Sequence, residues 1–559
     1  MNRAVMVLLL VAAKGALAAE FDVLIRNGSI YDGTGAPPYV ADIAIKGDRL
    51  FAIGNFSQAS ADRVIDATGL AVAPGFFNTL SHAHLSLLKD GRAMSDVLQG
   101  VTFEVLSEIS LSPLSDDSAE YMATMLGDED VDFSWRSVDD YLDLVESGGI
   151  SPNFAVFVSA ATVRVNVLGR DDVDPTPQQL EEMKQQVEAA MQDGALGLTD
   201  ALIYAPGAYA ETGEIIELAK LAGRHGGIFT AHMRSEGNQL IEAIDETLRI
   251  GLEGKLPVKI HHLKAAGKPN WNKMDLAIAR INSLRDEGIP VTADMYTYVA
   301  GATGLNGAMP TWVQAGGYDQ WVERLQDPQI RVRVKAEMGE NADNWENLGI
   351  LSGPDGMLLV EFRNEELRNR YKGRTVAEVA AERGQDYRDT IIDLVIENGA
   401  DVGTVYYLMT EENLVKQMRQ PWVMFGSDAE APAAEGKELE SGQHPRTYGN
   451  VARLLGKYVR EEQVITLEEA IRRLTLLPAE TLNIPARGRL APGFFADVAI
   501  FDPGLVRDRA TFDDPHRYSE GMVHVLVNGV PVVRDGAHTG ATPGRAVRGP
   551  GWVPGSENH

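Results

Sequence analysis

GIFTAHMRSEGNQLIEAIDETLRIGLEGKLPVKIHHLKAAGKPNWNKMDLAIARINSLRDEGIPVTADMYTY, residues 227–298, reads as three short apolar runs separated by two stretches of helical period. The runs are GIFTAHM, PVKIHHLK and PVTADMYTY, and both helical stretches, NQLIEAIDETLRIGLEG and MDLAIARINSLRDEG, end in glycine, where a helix stops. Strand alternating with helix implies a parallel sheet with right-handed crossovers. Working outward, five more runs have the same character: APGFFNTLS (73–81), TFEVLSE (102–108), NFAVFVSA (153–160), ALGLTDALI (195–203) and PWVMFGSD (421–428). An open doubly wound sheet would alternate similarly, but no GxGxxG follows an early strand, and eight units suit closure. The expected fold class is α/β, a (β/α)8 TIM-like barrel over residues 73–484.

The rest of the 559 residues is placed at the two ends and in one excursion. Residues 20–72 and 485–548 hold short alternating runs punctuated by NG, GD and DG, hairpin signals that place both ends in one small β-sandwich. Between strands seven and eight, residues 302–375 are irregular and too long for an ordinary connection, so an insertion or lid is expected there. Residues 1–19 read as a secretory signal peptide: Arg3, an apolar run from Ala4 to Ala13, then Ala16-Leu17-Ala18 before the cut. The run is too short to span a bilayer, which implies a periplasmic or secreted protein free of the membrane after cleavage, although Lys14 also permits an uncleaved anchor. A flexible tail is expected at 549–559.

Eighty acidic against fifty-one basic residues give a formal charge of -29, spread along the chain. Phosphate binding needs clustered Lys and Arg, so nucleic acid and anionic membranes are poor partners and a small-molecule substrate is the expected one. No cysteine is present, which excludes disulfides, thiolate metal ligands and a cysteine nucleophile together.

Five polar residues end different apolar runs: Glu108, His232, His262, Asp294 and Asp428. Strand carboxyl ends of a barrel open on one face, and imidazoles with carboxylates are what a hydrolytic metal takes from such a face. A lone histidine there is more often a core residue than a ligand; two on adjacent strands, with Asp428 beyond, favour metal. His261 and His262 have opposite strand parity, so one of the two is expected to point inward, and His262 is chosen because Lys264 shares its face. Glu104 is the rival of Glu108 on the same strand and as a buried charge would need a partner. The implied cofactor is Zn2+, which would lower the pKa of bound water to about 7 and stabilise an oxyanion, with Asp428 moving the proton from water to the leaving amine. No GxSxG is present, so water is the expected nucleophile.

Many blocks in order resemble the N-acyl-D-amino-acid deacylases (D-aminoacylases) of the amidohydrolase superfamily: FDVLIRNGSIYDGTG, QGVTFEVL, GALGLTDALIYAPGAYA, TAHMRSEG, HHLKAAG, ADMYTY, GSDA, HPRTYGNVARLLGKYVRE and RGRLAPGFFADVAIFDP. The resemblance implies zinc-dependent hydrolysis of an N-acyl amide on a D-configured amino acid. It matches His232 and His262 to the tight-site histidines and Asp428 to the catalytic aspartate. Well-known members carry a bridging cysteine after the second strand; Glu108 takes that place here, as in a glutamate-bearing subgroup.

The first strand departs from the family pattern of PGFID followed by HxH. PGFFNTLSHAH sets Leu80 and His82 where the two histidines belong, leaving His82 and His84 two residues late. They supply a second metal after a loop adjustment or lie outside the site; one tight zinc is expected either way. For the substrate carboxylate the resemblance points to Lys264, Tyr204 and Tyr296, and Arg234 and Arg446 are able to do the same work. Two other readings stand beside the deacylase: an amidohydrolase acting on D-residue-containing dipeptides or other amides, and a binding module with a degraded site. Cyclic-amide members carry a lysine on the fourth strand, and ALGLTDALI has none.

Overall fold

The computed structural model describes residues 19–126, 131–342 and 344–554, so the expected leader lies, apart from Ala19, outside the described residues. Eight parallel strands form the centre: β1 (Phe76–Ser81), β2 (Val101–Leu106), β3 in two pieces (Asn153–Val156 and Val158–Ser159), β4 (Gly197–Ala201), β5 (Ile228–His232), β6 (Val258–Ile260), β7 (Val291–Met295) and β8 (Val423–Phe425). Each pairs with the next in chain order. At the last seam Ser81 bridges Ala429 in parallel, the Asp428 amide donates to the Leu80 carbonyl at 2.9 Å, and the His82 amide to the Ala429 carbonyl at 2.9 Å, which brings β8 back to β1.

The outer helices start and stop where their sequence directs. Pro177–Asp193 opens with a capping box between Thr176 and Gln179 and ends on Gly194 in the left-handed region. Thr212–Arg224, Leu240–Gly254 and Lys273–Asp286 turn Leu218, Ile244 and Ile281 inward. The barrel interior, by contrast, is polar. Lys259 reaches Asp294 at 2.6 Å, and Ser107, Thr199, Thr230 and His261 link by hydrogen bonds of 2.9–3.4 Å. Buried polar groups are normally paired, and each of these residues has at least one partner, with His261 Nδ1 alone among them left facing Asp294 Oδ2 at 3.7 Å.

Both chain ends enter one nine-stranded sheet, joined where Val498–Phe501 pairs antiparallel with Ala71–Pro74. Ile25, Ile43, Val72, Val498, Ile500 and Leu526 share its core. A buried network ties this sheet to the barrel floor. Asp497 takes Arg487, accepts the Asn528 amide at 2.8 Å and faces Asn153 Nδ2 at 3.4 Å, while Asn528 Nδ2 donates to Asn153 Oδ1 at 2.8 Å.

Two boundaries differ from the sequence expectation. The excursion placed at 302–375 extends further, because the strand Gly403–Tyr407 pairs with Ala300–Gly304 and Met357–Glu361 in a separate three-stranded sheet. Helices Val376–Arg383 and Tyr387–Asn398 belong to it and share a core with Trp321, Leu359 and Tyr406. The tail expected to be flexible after Arg548 is held through Val553: amides of Gly549 and Val553 donate to carbonyls of Gly194 and Gln192 at 2.7 and 3.0 Å. Upstream, the Phe154 amide donates to the Arg545 carbonyl and the Val547 amide to the Phe154 carbonyl, so this segment has already left the sheet and runs beside β3. Backbone pairing, invisible in a Gly- and Pro-rich composition, holds it. Among the described residues no helix is long and apolar enough to cross a membrane.

Removing one partner of a buried ion pair leaves an uncompensated charge and costs about 3–5 kcal/mol. Asp497→Ala is therefore expected to lower the stability of the protein by that amount in urea unfolding, whereas Glu323→Ala, on the exposed face of the helix Tyr318–Gln326, leaves the stability within about 0.5 kcal/mol of wild type.

Candidate metal centre and active site

The candidate residues occupy the turns just beyond the strands. His82 follows β1, Glu108 lies two residues past β2, His232 ends β5, His262 lies two past β6 and Asp428 three past β8. Glu108, His262 and Asp428 have φ of +70°, +31° and +52°. Left-handed backbone costs a non-glycine residue about 1–3 kcal/mol and persists where the surroundings enforce it. Here each strained amide is tethered: Glu108 N to Thr199 Oγ1 at 3.1 Å, His262 N to Asp294 Oδ1 at 2.6 Å, and Asp428 N to the Leu80 carbonyl at 2.9 Å.

Glu108 is the hub. Its Oε1 lies 3.0 Å from His232 Nδ1, and its Oε2 lies 3.5 Å from His262 Nε2 and 3.4 Å from His82 Nε2. His82 Nε2 is also 2.9 Å from Asp428 Oδ1, and Arg446 Nη1 is 2.6 Å from Asp428 Oδ2. Ligand atoms of Glu108, His232 and His262 lie within 4.8 Å of one another, as do those of His82, Glu108 and Asp428. Two imidazoles and a carboxylate, all buried, form a nitrogen and oxygen donor set suited to zinc. Glu108 Oε2 and His232 Nε2 are buried without a hydrogen-bond partner, which a cation would satisfy. Glu108 belongs to both groups, so a second ion beside His82 and Asp428 would share its carboxylate.

The electrostatics agree. Burial pushes the Glu108 carboxyl up, but bonds from His232, His262 and His82 outweigh it and hold the group well below the usual carboxylate range. Burial likewise lowers His232, yet Glu236 and Glu108 prevail and raise it to about 9. So acid-rich a cluster favours protonated imidazoles, and a metal held by them would compete with those protons. For Asp428 burial acts upward, while Arg446, His262 and His82 bring it down to about 2, an ionised base at neutral pH.

The structure separates the sequence candidates. His82 joins the cluster, its side chain 28% exposed at the mouth; His84 does not, being buried beside the Tyr141 ring 6.2 Å away with its Nε2 unpartnered. Leu80 is buried in β1. The inward choice between His261 and His262 proves too restrictive. His262 sits past the end of β6 with positive φ, where strand alternation no longer applies, and both rings face the interior: His261 meets Ser107 Oγ at 3.0 Å, one layer below His262. Asp294 holds Lys259 and the His262 amide and is absent from both ligand groups. Glu104 lies deeper: burial raises it to about 7, and it shares its site with Asp96 and with Asn78 Nδ2, 3.0 Å away.

The proposed carboxylate holders differ in availability. Lys264 is already engaged, 2.6 Å from Glu236 Oε1 and 2.7 Å from His262 Nδ1. Arg234 grips Glu246 through Nε and Nη2 and donates to the carbonyls of Ala208 and Ala210, so it braces a loop away from the cluster. Tyr296 has a buried hydroxyl with no partner, and the Arg446 guanidinium lies 4.6 Å over its ring. Tyr204 stands edge-on to His232 at 5.2 Å. Together with the metal-binding groups, Tyr204 and Tyr296 line a cavity of about 130 Å³.

Two residues escaped sequence reasoning. Glu236, four residues after His232, lies 3.4 Å from His232 Nε2 and 2.9 Å from His262 Nδ1. Its place in HMRSEG was the available signal. Glu346, from the insertion, accepts on one oxygen from Ser235 Oγ at 2.5 Å and from the amides of Glu236 and Gly237 at 2.7 and 2.8 Å. No local pattern announced it, since its partners are 109–111 residues away.

The model of the Amidohydrolase family Amidohydro_3 matches residues 63–533. The D-aminoacylase of Alcaligenes xylosoxydans xylosoxydans is 33% identical over 529 residues, 94% of this chain and 97% of the relative. A D-aminoacylase crystal structure superposes with a TM-score of 0.80 at 31% identity, covering 94% of this chain and all of the other. The N-acyl-D-glutamate deacylase of Bordetella bronchiseptica, solved with zinc and a phosphonate mimic of the tetrahedral intermediate, gives 0.77 at 29% identity over 94% and 99%. With half of the chain far exceeded by the family match, and with the barrel and its clustered ligands in place, this protein belongs to the amidohydrolase family.

Proposed function

We propose that the protein is a zinc-dependent deacylase of N-acyl-D-amino acids. The observation that carries this is the convergence of Glu108, His232 and His262 on one point beside Asp428 at the barrel mouth. The kinship with D-aminoacylase and N-acyl-D-glutamate deacylase supplies the substrate class and the D configuration.

Zinc in such a set supplies Lewis acidity, lowering the pKa of bound water to about 7 and polarising an amide carbonyl. Glu108, His232 and His262 would hold it, with Glu236 and Lys264 orienting the His262 ring through Nδ1. Asp428, ionised and hydrogen-bonded to His82, takes the proton that water loses as its oxygen bonds the acyl carbon. It returns that proton to the amide nitrogen as the C–N bond breaks, leaving a carboxylate and a free amino acid. Arg446 keeps Asp428 ionised between turnovers. The Tyr296 hydroxyl and the Arg446 guanidinium above its ring receive the carboxylate of the amino acid, and Lys264 acts mainly on the metal-holding side. The sequence of residues 1–19 further supports export and cleavage before Glu20 or nearby.

About one tightly held zinc per chain is expected from metal analysis, lost in His262→Ala and mostly kept in His82→Ala. Zinc retained in full by His262→Ala would assign the wrong ligand. Asp428→Asn is expected to keep the zinc and lose turnover by about 100-fold or more, the range general acid-base groups supply. A panel of N-acyl-D- and N-acyl-L-amino acids decides the reaction: equal cleavage of both, or of neither, sinks the deacylase reading. Intact mass of protein recovered from its native host should show a chain beginning near Ala19 in the exported fraction; Met1 retained in a cytosolic chain would remove export.

A further inference from the structure

A second cavity adjoins the first. It measures about 310 Å³ against about 130 Å³ for the catalytic one, and Ile109 and Tyr204 line both. Ile109 follows the hub Glu108 directly and is 41% exposed on the shared wall. Beyond it the lining is mostly apolar: Leu114, Met122, Ala161, Val165 and Trp321 face the space. At its rim the Arg170 guanidinium stacks on the Tyr121 ring at 3.3 Å.

Volume and direction together name the occupant. A void of about 150 Å³ holds one benzene ring, so the catalytic cavity is too small for an acyl chain beyond the scissile carbonyl, while its neighbour holds about two rings' worth. The carboxylate-receiving groups, Arg446 and Tyr296, follow β8 and β7, whereas Ile109 and Tyr204 follow β2 and β4. In a ring of eight, β4 lies opposite β8. A substrate anchored by its carboxylate on the β7–β8 arc therefore directs its acyl group over Glu108 toward Ile109 and Tyr204.

We propose that this second cavity is an acyl-chain site, and that the preferred substrates carry apolar acyl groups of medium length, about six to eight carbons, or an arylacetyl group. The assignment rests on the deacylase reading above and adds the acyl class to it. Burial of a methylene in such a space favours binding by about threefold to fourfold.

The test uses the zinc-loaded full chain and a single D-amino acid acylated with acetyl, butanoyl, hexanoyl, octanoyl, phenylacetyl or adipoyl groups. kcat/KM should rise about threefold per methylene from acetyl to hexanoyl and then level off, with phenylacetyl near hexanoyl. Val165→Phe, which fills the cavity, should cut the hexanoyl-to-acetyl ratio by about tenfold or more, with zinc content and thermal midpoint confirming that the variant is folded. Binding of N-octanoyl-D-amino acid to Asp428→Asn, followed by quenching of tryptophan fluorescence with Trp321→Phe as reference, reports the same site without turnover. A flat chain-length profile, a ratio unmoved by Val165→Phe in folded protein, or a preference for adipoyl, whose second carboxylate would seek Arg170, would overturn the proposal. Cleavage of the acetyl substrate in any of these cases leaves the deacylase reading standing; no cleavage of any member removes both.

Discussion

Glu108 is a buried carboxylate whose three imidazole neighbours reach it from β1, β5 and β6, and the remainder of the site is arranged around that fact. An ionised carboxylate removed from water is costly unless paired, and its two oxygens are shared among His232, His262 and His82. The histidines in turn bring Glu236 and Asp428, each of which brings a cation, Lys264 and Arg446. The chain of alternating charges runs from the fifth strand to the eighth, and among its buried atoms without a hydrogen-bond partner are Glu108 Oε2 and His232 Nε2, where a metal would sit. In a chain without cysteine, a carboxylate is the available anionic side-chain ligand, harder than a thiolate and with two oxygens to offer.

The insertion is coupled to the same hub. Glu346 caps the Ser235–Gly237 turn with three hydrogen bonds on one oxygen, and that turn presents Glu236 to both histidines. A buried carboxylate accepting several donors is among the stronger polar contacts available to a protein. Distortion of the insertion is therefore felt at His232 and His262 through one residue. The insertion's own core, around Trp321, Leu359 and Tyr406, gives Glu346 a rigid base.

What the sequence made legible follows from periodicity and from chemistry at strand ends. Eight apolar runs and the helices between them announced the barrel, and the hairpin signals announced the end sheet, because both depend on local patterns. The positions of Glu108, His232, His262 and Asp428 were legible for the same reason. Their precise reach was not. Parity could not resolve His261 and His262 once positive φ ended the strand rule, and the two-residue lag of His82 still delivers its ring to Asp428. Lys264 looked like a substrate clamp because nothing local revealed that Glu236 had claimed it. The excursion bounded at 375 runs on through the strand at 403–407, which pairs with 300–304. The excursion and Lys264 were misplaced because their partners are distant in sequence.

Strain explains why these distant partners matter. Three of the central residues hold backbone conformations costing about 1–3 kcal/mol each, a large sum beside the 5–15 kcal/mol that separates a typical folded domain from its unfolded chain. None of the three is stabilised within its own turn. Thr199 on β4 holds Glu108 after β2, Asp294 on β7 holds His262 after β6, and Leu80 on β1 holds Asp428 after β8. The site is consequently a product of strand pairing around the ring, and two of its three tethers are side chains of the polar layer inside the barrel. That layer gives up the aliphatic filling usual in such folds. It supplies in exchange the directed hydrogen bonds that aim a carboxylate, an imidazole and a proton-transferring aspartate at one point.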